Sequence, residues 1–526
     1  MKNSNILLVI AGIALKICVI LYACKSNYIA GLFFAAEISV VCCSMYFFKR
    51  RWRTLYIPLI LIILLQLINF AGTGNLLDSE TLQNMNEGGA LDTSFIIRLA
   101  VFAAIAAVAM IPEFLVPRVN KSDNNKTRRI TLLLCFIVIE CFPKAPIHAF
   151  CDTVYSVVDL MFFAQPDINS GSMFVRQQIE DSGISKKIGT ENKNVILIFA
   201  EGTSSYCLSP GLTPNVMDLK KESIAFENYF SHTAATFRGI RGQMISGFPL
   251  FGGTESYEMV KKYYSGQFPS LPEMLNRYGY KTIFVSPHAP NENLGNVMGL
   301  LGFKYLKHSF DYKDSENLSD REQYLHLWQI LEGLSKTKEK FFLATYVLGT
   351  HHGMDSPDKK YGNGKNSYLN KFHNQDYWFG EFLKKFKASG LSKNTVLIWT
   401  SDHSTYPTNE YNDTFRRKEE HFVGKIPLII YNNGKNAKLI DAKIRNSLSL
   451  APTILDMLNI HEEKNYFLGN SLFIDKKNEW DNIAVIGPRR VFYVKENGEV
   501  CFLKDISRLK NRILRNRMTE YYKFIQ

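Results

Sequence analysis

A chain of 526 residues is too long to fold around one ordinary hydrophobic core, so two or more domains are expected. Hydrophobic residues make up 46% and charged residues 21%, but the first third is apolar and the remainder is polar enough for a water-soluble domain. The net charge of +13 does not indicate a nucleic-acid-binding protein. Several of the basic residues lie in short loops between apolar stretches, where they orient a membrane protein.

The nine cysteines indicate neither a disulfide framework nor a thiolate zinc site. Six lie in or beside apolar stretches, and Cys151 follows the last of these. Only Cys207 and Cys501 belong to the polar part, and no two cysteines form a CxxC pair.

Five apolar stretches are long enough for membrane-spanning helices, which need about 20 mostly apolar residues. They cover residues 5–23, 28–48, 55–73, 94–116 and 130–150. The first has no small-residue cleavage site behind it and a second apolar run begins at once, so we interpret it as an anchor and not as a signal peptide. The sequence therefore predicts a five-helix transmembrane domain over residues 1–150.

The loops between these stretches differ in charge. The second loop holds four basic residues, which are Lys49, Arg50, Arg51 and Arg53. The third loop holds no basic residue and four acidic ones, which are Asp78, Glu80, Glu87 and Asp92. The fourth loop holds five basic residues, which are Arg118, Lys121, Lys126, Arg128 and Arg129. Because positive loops stay in the cytoplasm, we expect the amino terminus inside and the chain beyond about residue 150 outside. Within a linker over 151–190, residues 152–164 are predicted to form an interfacial amphipathic helix.

Beyond Asn194, short β-branched runs alternate with helical patterns. Candidate strands are 194–200, 281–287, 341–349, 394–401 and 425–431, and helix-type spacing appears in 270–279, 321–334 and 374–386. This alternation predicts an α/β domain over residues 191–480, with a mostly parallel sheet covered by helices on both faces. A basic carboxyl-terminal segment over 481–526 follows.

Polar residues follow several of these strands. They are Glu201 after the first, His351 and His352 after the third, and Asp402 and His403 after the fourth; a further segment, 227–242, carries Thr236, Arg238 and Arg241. In such sheets, ligands bind beyond the carboxyl ends of the strands. Carboxylates and imidazoles that converge there suit a divalent metal, and a hydroxyl beside the metal can become a nucleophile.

Each of these residues, taken alone, has an ordinary structural explanation. Asp402 and His403 could form a turn, Thr236 could cap a helix, and Glu201 could be a loop residue. The two arginines could be solvated or paired on the surface. Their shared position at one predicted edge favours a metal site.

At these residues the sequence resembles the alkaline-phosphatase/sulfatase superfamily. Within it, the resemblance is to the membrane-bound branch of lipoteichoic acid synthases and phosphoethanolamine transferases, over about 190–475. NVILIFAEGTSS resembles the first metal-binding strand and loop, HTAATFRGIRG the nucleophile segment, and WTSDHS the Asp-His pair; SLSLAPTILDMLNI resembles a late structural helix. The resemblance implies an α/β sulfatase-like fold.

The same resemblance implies a metal site. Glu201, Thr236, Asp402 and His403 match the positions that hold one divalent ion, Zn²⁺ or Mn²⁺, and a second ion is left open. Thr236 stands at the position of the nucleophile. A metal-activated threonine implies a phosphothreonine intermediate and ping-pong kinetics.

Further positions match residues that bind substrate in related enzymes. His352 matches the histidine that contacts the transferring phosphoryl group, with His351 as its substitute. His288 and His421 stand where related enzymes use extra substrate or second-metal histidines. The two arginines of the nucleophile segment would clamp phosphate oxygens.

The resemblance implies transfer of phosphoglycerol or phosphoethanolamine from a phospholipid donor to a glycan or lipid acceptor. The expected location is the bacterial cytoplasmic (inner) membrane, with the catalytic domain on its periplasmic or extracellular side. Lipoteichoic acid synthases carry a Trp and an Arg beyond the stretch equivalent to SPHAPNENLGN, and this segment has neither. Phosphoethanolamine transferases typically contain several disulfides, for which the polar part has too few cysteines, so the head group stays open.

Two alternative functions compete with this one. A true sulfatase needs a Cys or Ser in a C/S-x-P-x-R context, and Cys207 has the wrong spacing to Pro210 and no arginine. A catalytically silent sulfatase-like membrane protein that binds a lipid or a partner would usually lack the nucleophile or a ligand. Both are present here, which favours an enzyme over the silent protein, and a sulfuric or phosphoric ester hydrolase stays open as an alternative.

Overall fold

The computed structural model describes twelve stretches of the chain, which divides into two compact units. The described residues are 3–25, 27–48, 50–78, 93–115, 125–162, 178–249, 270–288, 292–311, 318–337, 339–462, 464–487 and 490–525. The first unit comprises Met1–Ala164 and Pro407–Lys418, and the second comprises Gln165–Tyr406 and Glu419–Gln526.

The first unit is built from apolar helices. They are Asn3–Ala23, Tyr28–Met45, Ile57–Thr73, Thr93–Ala109, Pro112–Leu115, Asn125–Glu140 and Pro146–Phe162, with a 3₁₀ turn at Arg50–Tyr56. Phe34, Leu67 and Ala106 are fully buried in a shared core, whereas leucines and isoleucines on the outer faces are exposed. A bundle that is apolar both inside and outside is typical of a membrane domain.

Three helical stretches of the described residues are long and apolar enough to cross a membrane: Tyr28–Met45, Arg51–Thr73 and Phe95–Leu115. The first predicted span appears as a shorter apolar helix, Leu7–Ala23. The prediction of five spans is therefore confirmed only for three of them.

The predicted fifth span, 130–150, is not one helix. A helix ends at Glu140 and the next begins at Pro146. Pro143 and Pro146 account for the break, because proline lacks an N–H and disfavours helix in the residue before it. The predicted interfacial helix 152–164 continues this last helix, which ends at Phe162; residues 163 and 164 lie outside the described residues.

Residues 407–418 belong to the first unit although they follow the Asp402–His403 pair by only a few residues. Asn75 Nδ2 donates to the carbonyl of Pro407 at 3.3 Å. Gly74 ends the third helix with φ +78°, and a Cβ there would lie 2.8 Å from the backbone nitrogen of Asn409. Glycine is required at this turn both for the left-handed backbone and for the close approach.

The second unit contains an eight-stranded sheet. Its strands are β1 Asn194–Ala200, β2 Ile224–Glu227, β3 Tyr280–Val285, β4 Tyr305–Lys307, β5 Lys340–Val347, β6 Thr395–Thr400, β7 Leu428–Tyr431 and β8 Lys438–Asp441. Their order is β4-β3-β5-β1-β6-β7-β2-β8. Only the β6–β7 and β7–β2 pairs are antiparallel, so the mostly parallel sheet is confirmed.

The central strand β1 is buried on both faces. All seven of its residues are buried, as expected for a parallel strand that is covered on both sides. Ile198 lies opposite Thr345 of β5 and Trp399 of β6, and Leu327 and Phe382 from two long helices pack into the same core. Strands β1, β3, β5 and β6 therefore end at one edge of the sheet.

The helices of the second unit are Ile184–Ile188, Pro214–Lys221, Thr236–Ile245, Leu271–Arg277, Glu292–Leu300, Asp320–Ser335, Ser367–Ala388, Leu450–Met457, Leu503–Ile506 and Arg508–Ile525; Asn409–Phe415 belongs to the first unit. A small antiparallel sheet is formed by β9 Ile483–Ile486, β10 Arg490–Val494 and β11 Val500–Phe502. The predicted carboxyl-terminal segment thus contributes a second core. The two units divide between Ala164 and Gln165, within the stretch 151–190 that the sequence analysis treats as a linker, and residues 407–418 belong to the first unit.

Candidate metal centre

Glu201 directly follows β1, a strand whose seven residues are all buried. Its side chain is itself buried, with 2% exposed. Its backbone N–H donates to Val347 at the end of β5, and its carbonyl accepts from the Thr350 hydroxyl. These bonds hold Glu201 at the edge where parallel strands end.

Asp402 and His403 follow β6, the neighbour of β1, and are held rigidly. Asp402 Oδ1 accepts from the N–H groups of Gly202 and His403, both at 2.9 Å. His403 Nδ1 lies 2.8 Å from the carbonyl of Ser404. A carbonyl only accepts hydrogen bonds, so Nδ1 carries a proton and the neutral ring presents the lone pair of Nε2.

Thr236 begins the helix Thr236–Ile245, and its hydroxyl donates to Glu201 Oε2 at 2.8 Å. Ala235, just before it, has φ +66°, a conformation that costs a non-glycine residue energy and often occurs at functional sites. The ten-residue helix points its positive amino-terminal end at the Thr236 hydroxyl, which favours an anion there.

Two residues that the sequence reasoning missed fasten this helix to the Asp402–His403 loop. Gln243 Nε2 donates to the carbonyls of Ser401 and Asp402, both at 3.1 Å. A Cβ on Gly239 would lie 2.3 Å from the carbonyl oxygen of Asp402. Gly239, the glycine in TFRG, could have indicated this contact from the sequence, since a glycine inside a helix often marks a close approach of another backbone.

The predicted ligands converge. One ligand atom each from Glu201, Asp402 and His403 lies within 4.8 Å of the other two, and His403 Nε2 is 3.3 Å from both Glu201 Oε1 and Asp402 Oδ2. Burial and the charge of Asp402 raise the pKa of Glu201 to about 7. Burial lowers the pKa of His403, but the charge of Asp402 and the hydrogen bond and charge of Glu201 outweigh it and raise that pKa to about 10.

This arrangement fits a divalent cation. Asp402 Oδ2 is completely buried, has no hydrogen-bond donor and lies 3.3 Å from His403 Nε2, so without a metal its charge is offset by protonated His403, a place that a bound cation would take. His403 Nε2 faces the same space, and its Nδ1–H is oriented by a carbonyl, as is usual for a metal-ligating histidine. Two carboxylates, an imidazole and a hydroxyl form a ligand set that zinc or manganese accepts.

Of the two adjacent histidines, His351 interacts electrostatically with the cluster through His403. Its electrostatic neighbours include Lys371, His403 and His288; burial first, and then these charges, lower the pKa of His351 to about 4. Its Nδ1 lies 2.9 Å from the carbonyl of His352, so the neutral ring presents an accepting Nε2.

The His352 ring, in contrast, lies beside two tyrosines. Its Nδ1 is 3.5 Å from the Tyr368 hydroxyl, and its ring centroid is 5.6 Å from that of Tyr406.

The other predicted substrate residues lie in different surroundings. Arg238 and Arg241 are buried, with 0% and 5% exposed, which excludes the alternative that they are solvated on the surface. His288 is half-buried beside Tyr346. His421 packs between the rings of Phe492 and Phe502 of the small sheet, and no metal cluster among the described residues includes it.

Comparison with known proteins agrees with this geometry. The Sulfatase family profile matches residues 193–460, just over half of the chain. The chain belongs to the sulfatase family. The match begins at β1 and contains all four predicted metal ligands.

Two curated relatives with the same name resemble part of this chain. Phosphoglycerol transferase I of Salmonella choleraesuis (strain SC-B67) is 25% identical over 308 residues, which cover 52% of this chain and 38% of that protein. The protein of the same name from Citrobacter koseri gives the same values. The matched region therefore spans well under half of the length of these relatives.

Two solved structures share the fold. Lipoteichoic acid synthase LtaP from Listeria monocytogenes has a TM-score of 0.52 at 19% identity and covers 64% of this chain and 93% of its own. A protein of the alkaline phosphatase superfamily from Vibrio parahaemolyticus has a TM-score of 0.54 at 18% identity and covers 70% and 95%.

Proposed function

We propose that this chain is a metal-dependent phosphotransferase that transfers a phospho-substituent from a phospholipid to an extracytoplasmic glycan or lipid acceptor. The observation that carries the proposal is the Thr236 hydroxyl, buried and hydrogen-bonded to Glu201 at 2.8 Å within the carboxylate–imidazole cluster. The names of the curated relatives favour phosphoglycerol over phosphoethanolamine as the group transferred.

Thr236 is the proposed nucleophile. The hydroxyl donates to Glu201, so its proton leaves along that bond as the oxygen attacks phosphorus. The bond from phosphorus to the diacylglycerol oxygen breaks, and the phospho-substituent remains on Thr236. A divalent ion held by Glu201, Thr236, Asp402 and His403 would lower the pKa of the hydroxyl and neutralise charge on the phosphoryl oxygens.

His351 is the proposed general base in the second step, the transfer from phosphothreonine to the acceptor. Its neutral ring presents an accepting Nε2, which suits removal of a proton from an acceptor hydroxyl as that hydroxyl attacks the phosphothreonine. The bond from phosphorus to the Thr236 oxygen breaks in this step, and Thr236 regains its proton from Glu201. His352, beside Tyr368, and the buried pair Arg238 and Arg241 are proposed to contact the phosphoryl oxygens. His288 would contact the substrate from the end of β3.

The membrane orientation is part of the proposal. The third loop, acidic in sequence, begins at Gly74 and Asn75, and Asn75 bonds to Pro407 within the first unit. The charge pattern of the loops assigns the third loop, and the chain beyond about residue 150, to the outside.

Lipid turnover tests the proposal directly. The full chain in nanodiscs would be incubated with labelled phosphatidylglycerol or phosphatidylethanolamine, and diacylglycerol release and the mass of the Thr236 peptide would be measured. We expect release from one of the two lipids and the matching adduct on Thr236, with both lost in Thr236→Ala. Release that persists in Thr236→Ala would overturn the proposal.

A further inference from the structure

The carboxyl-terminal helices have one face in a core and another in solvent. Leu503, Leu514 and Met518 are buried, with 0%, 2% and 4% exposed, and share a core with Trp480 and Phe248. The helix Arg508–Ile525 is therefore fixed on the small sheet and does not extend freely from it. What its outer face does is not explained by this packing.

That outer face is apolar at its centre. Leu509 and Ile513, one turn apart on this helix, are 58% and 49% exposed, and Ile506, the last residue of the preceding helix Leu503–Ile506, is 48% exposed. Single exposed apolar residues are normal, but three of them within eight residues are consistent with an interaction site. We define these three residues as the apolar row.

Basic side chains flank the apolar row. Arg508, Lys510 and Arg512 are all exposed, and Asp505 is the acidic residue among the described residues of this stretch. An exposed apolar row with arginine and lysine on both sides is the pattern of helices that lie at the surface of an anionic membrane.

The row starts close to the transfer chemistry. The helix Leu503–Ile506, which ends at the first residue of the row, follows β11 directly, and Phe502 at the end of β11 contacts His421 and Phe492. Phe492 shares a small core with Ala234, which lies two residues before Thr236. The surface therefore belongs to the sheet that packs against the nucleophile segment.

We propose that the apolar row and its flanking basic residues dock on the anionic lipid surface that supplies the donor. Insertion of apolar side chains between lipids explains their exposure, and the positive charge matches phosphatidylglycerol head groups. An acidic glycan would complement the charge but would leave the apolar row in water. The choice of lipid as occupant rests on the proposed function, although the docking itself is measured without turnover.

Tryptophan quenching tests the docking. Ile513→Trp places a reporter in the row, and Leu325→Trp, on the helix Asp320–Ser335 with 43% exposed, is the matched control. Each full-length variant would be placed in nanodiscs of brominated phosphatidylglycerol or brominated phosphatidylcholine, and its emission compared with that of the unchanged chain. We expect the added emission of Ile513→Trp to be quenched severalfold by brominated phosphatidylglycerol and that of Leu325→Trp to be unaffected.

The outcomes separate the two proposals. No quenching at position 513 would overturn the docking, and equal quenching in both lipids would overturn its dependence on negative charge. Loss of the quenching in Arg508→Gln/Arg512→Gln would support that dependence. Shielding of the reporter by soluble dextran sulfate, with no quenching by lipid, would reassign the face to an acidic glycan. Because none of these readouts needs turnover, an enzyme that fails to release diacylglycerol can still show the docking.

Discussion

Two clusters in this protein contain the same side chains, two carboxylates and an imidazole, yet they differ in what surrounds them. Glu201, Asp402 and His403 are all buried, and Asp402 Oδ2 has no hydrogen-bond donor. In the second cluster, Asp181 is exposed and only Asp456 is fully buried.

The carboxylate oxygens of Asp456 are already satisfied by the protein. Oδ1 accepts from the Ser182 N–H at 3.2 Å and lies 3.1 Å from His461 Nε2, and Oδ2 accepts from the Ser182 and Ser471 hydroxyls. Residue types alone therefore do not define a metal site. The difference lies in the second carboxylate oxygen, which has donors in Asp456 and none in Asp402, and it makes the first cluster the candidate for a cation and favours a structural role for the second.

Removal of the nucleophile should have the largest effect. Thr236→Ala eliminates the hydroxyl oxygen that we propose attacks phosphorus, so we expect turnover to fall by at least about 10³-fold. Diacylglycerol release from nanodiscs measures this. The matched variant Thr236→Ser keeps a hydroxyl beside Glu201 and should retain measurable turnover. Equal activity in Thr236→Ala and the unchanged chain would show that the first cluster does not carry out the transfer.

The next largest effect is expected on the bound metal, which substitutions in the first cluster should lower and substitutions in the second should not. Asp402→Asn removes the charge of the carboxylate whose Oδ2 has no hydrogen-bond donor, so we expect the purified protein to lose most of its bound divalent metal, measured by elemental analysis. Asp456→Asn is the paired variant and should keep it. Loss of metal in Asp456→Asn with retention in Asp402→Asn would reverse the assignment.

Sequence reasoning predicted the first cluster because its residues are tied to strands. Glu201 and Asp402 terminate β1 and β6, which are long, apolar and adjacent in the sheet, so the strand-end rule places them together. The shorter strands β2, β4 and β8, three or four residues each, carry too little periodicity to be recognised.

The features that the sequence analysis did not predict depend mainly on tertiary contacts, which leave little trace in the local sequence. The Asp456 cluster joins residues about 270 positions apart, and no motif marks them. The helix break near Pro143 and Pro146 was readable from the prolines, yet the apolar composition of 130–150 favoured one span. The insertion 407–418 contacts the first unit through Asn75 and Asn409, and an ordinary polar loop would look the same in sequence.

Removal of the metal should make the stability of the folded protein depend on pH through Glu201 and His403. In the metal-free protein, the pKa of Glu201 rises from 4.5 to about 7 and that of His403 from 6.5 to about 10. The folded state then binds more protons than the unfolded state, so stability falls as pH rises through both windows, by up to about 1.4 kcal/mol per pH unit for each group.

Chelator-treated protein unfolded thermally between pH 5 and pH 9 would show this slope. Glu201→Gln/His403→Gln should flatten it. Restored metal should reverse it, because metal ligands bind deprotonated. A metal-free protein that becomes more stable with rising pH would contradict the charge arrangement.

The second cluster should show the smallest effect, on stability alone. Asp456→Asn replaces one of two accepting oxygens with an amide that faces the Ser182 and Ser471 donors, so a buried mismatch of about 1–3 kcal/mol is expected. Asp181→Asn, in the same cluster but exposed, should change stability by less than about 0.5 kcal/mol. Thermal unfolding of the full chain compares the two variants at one pH. If both changed stability equally, the hydrogen bonds of Asp456 would not be what holds this cluster together, and the contrast with Asp402 would lose its physical basis.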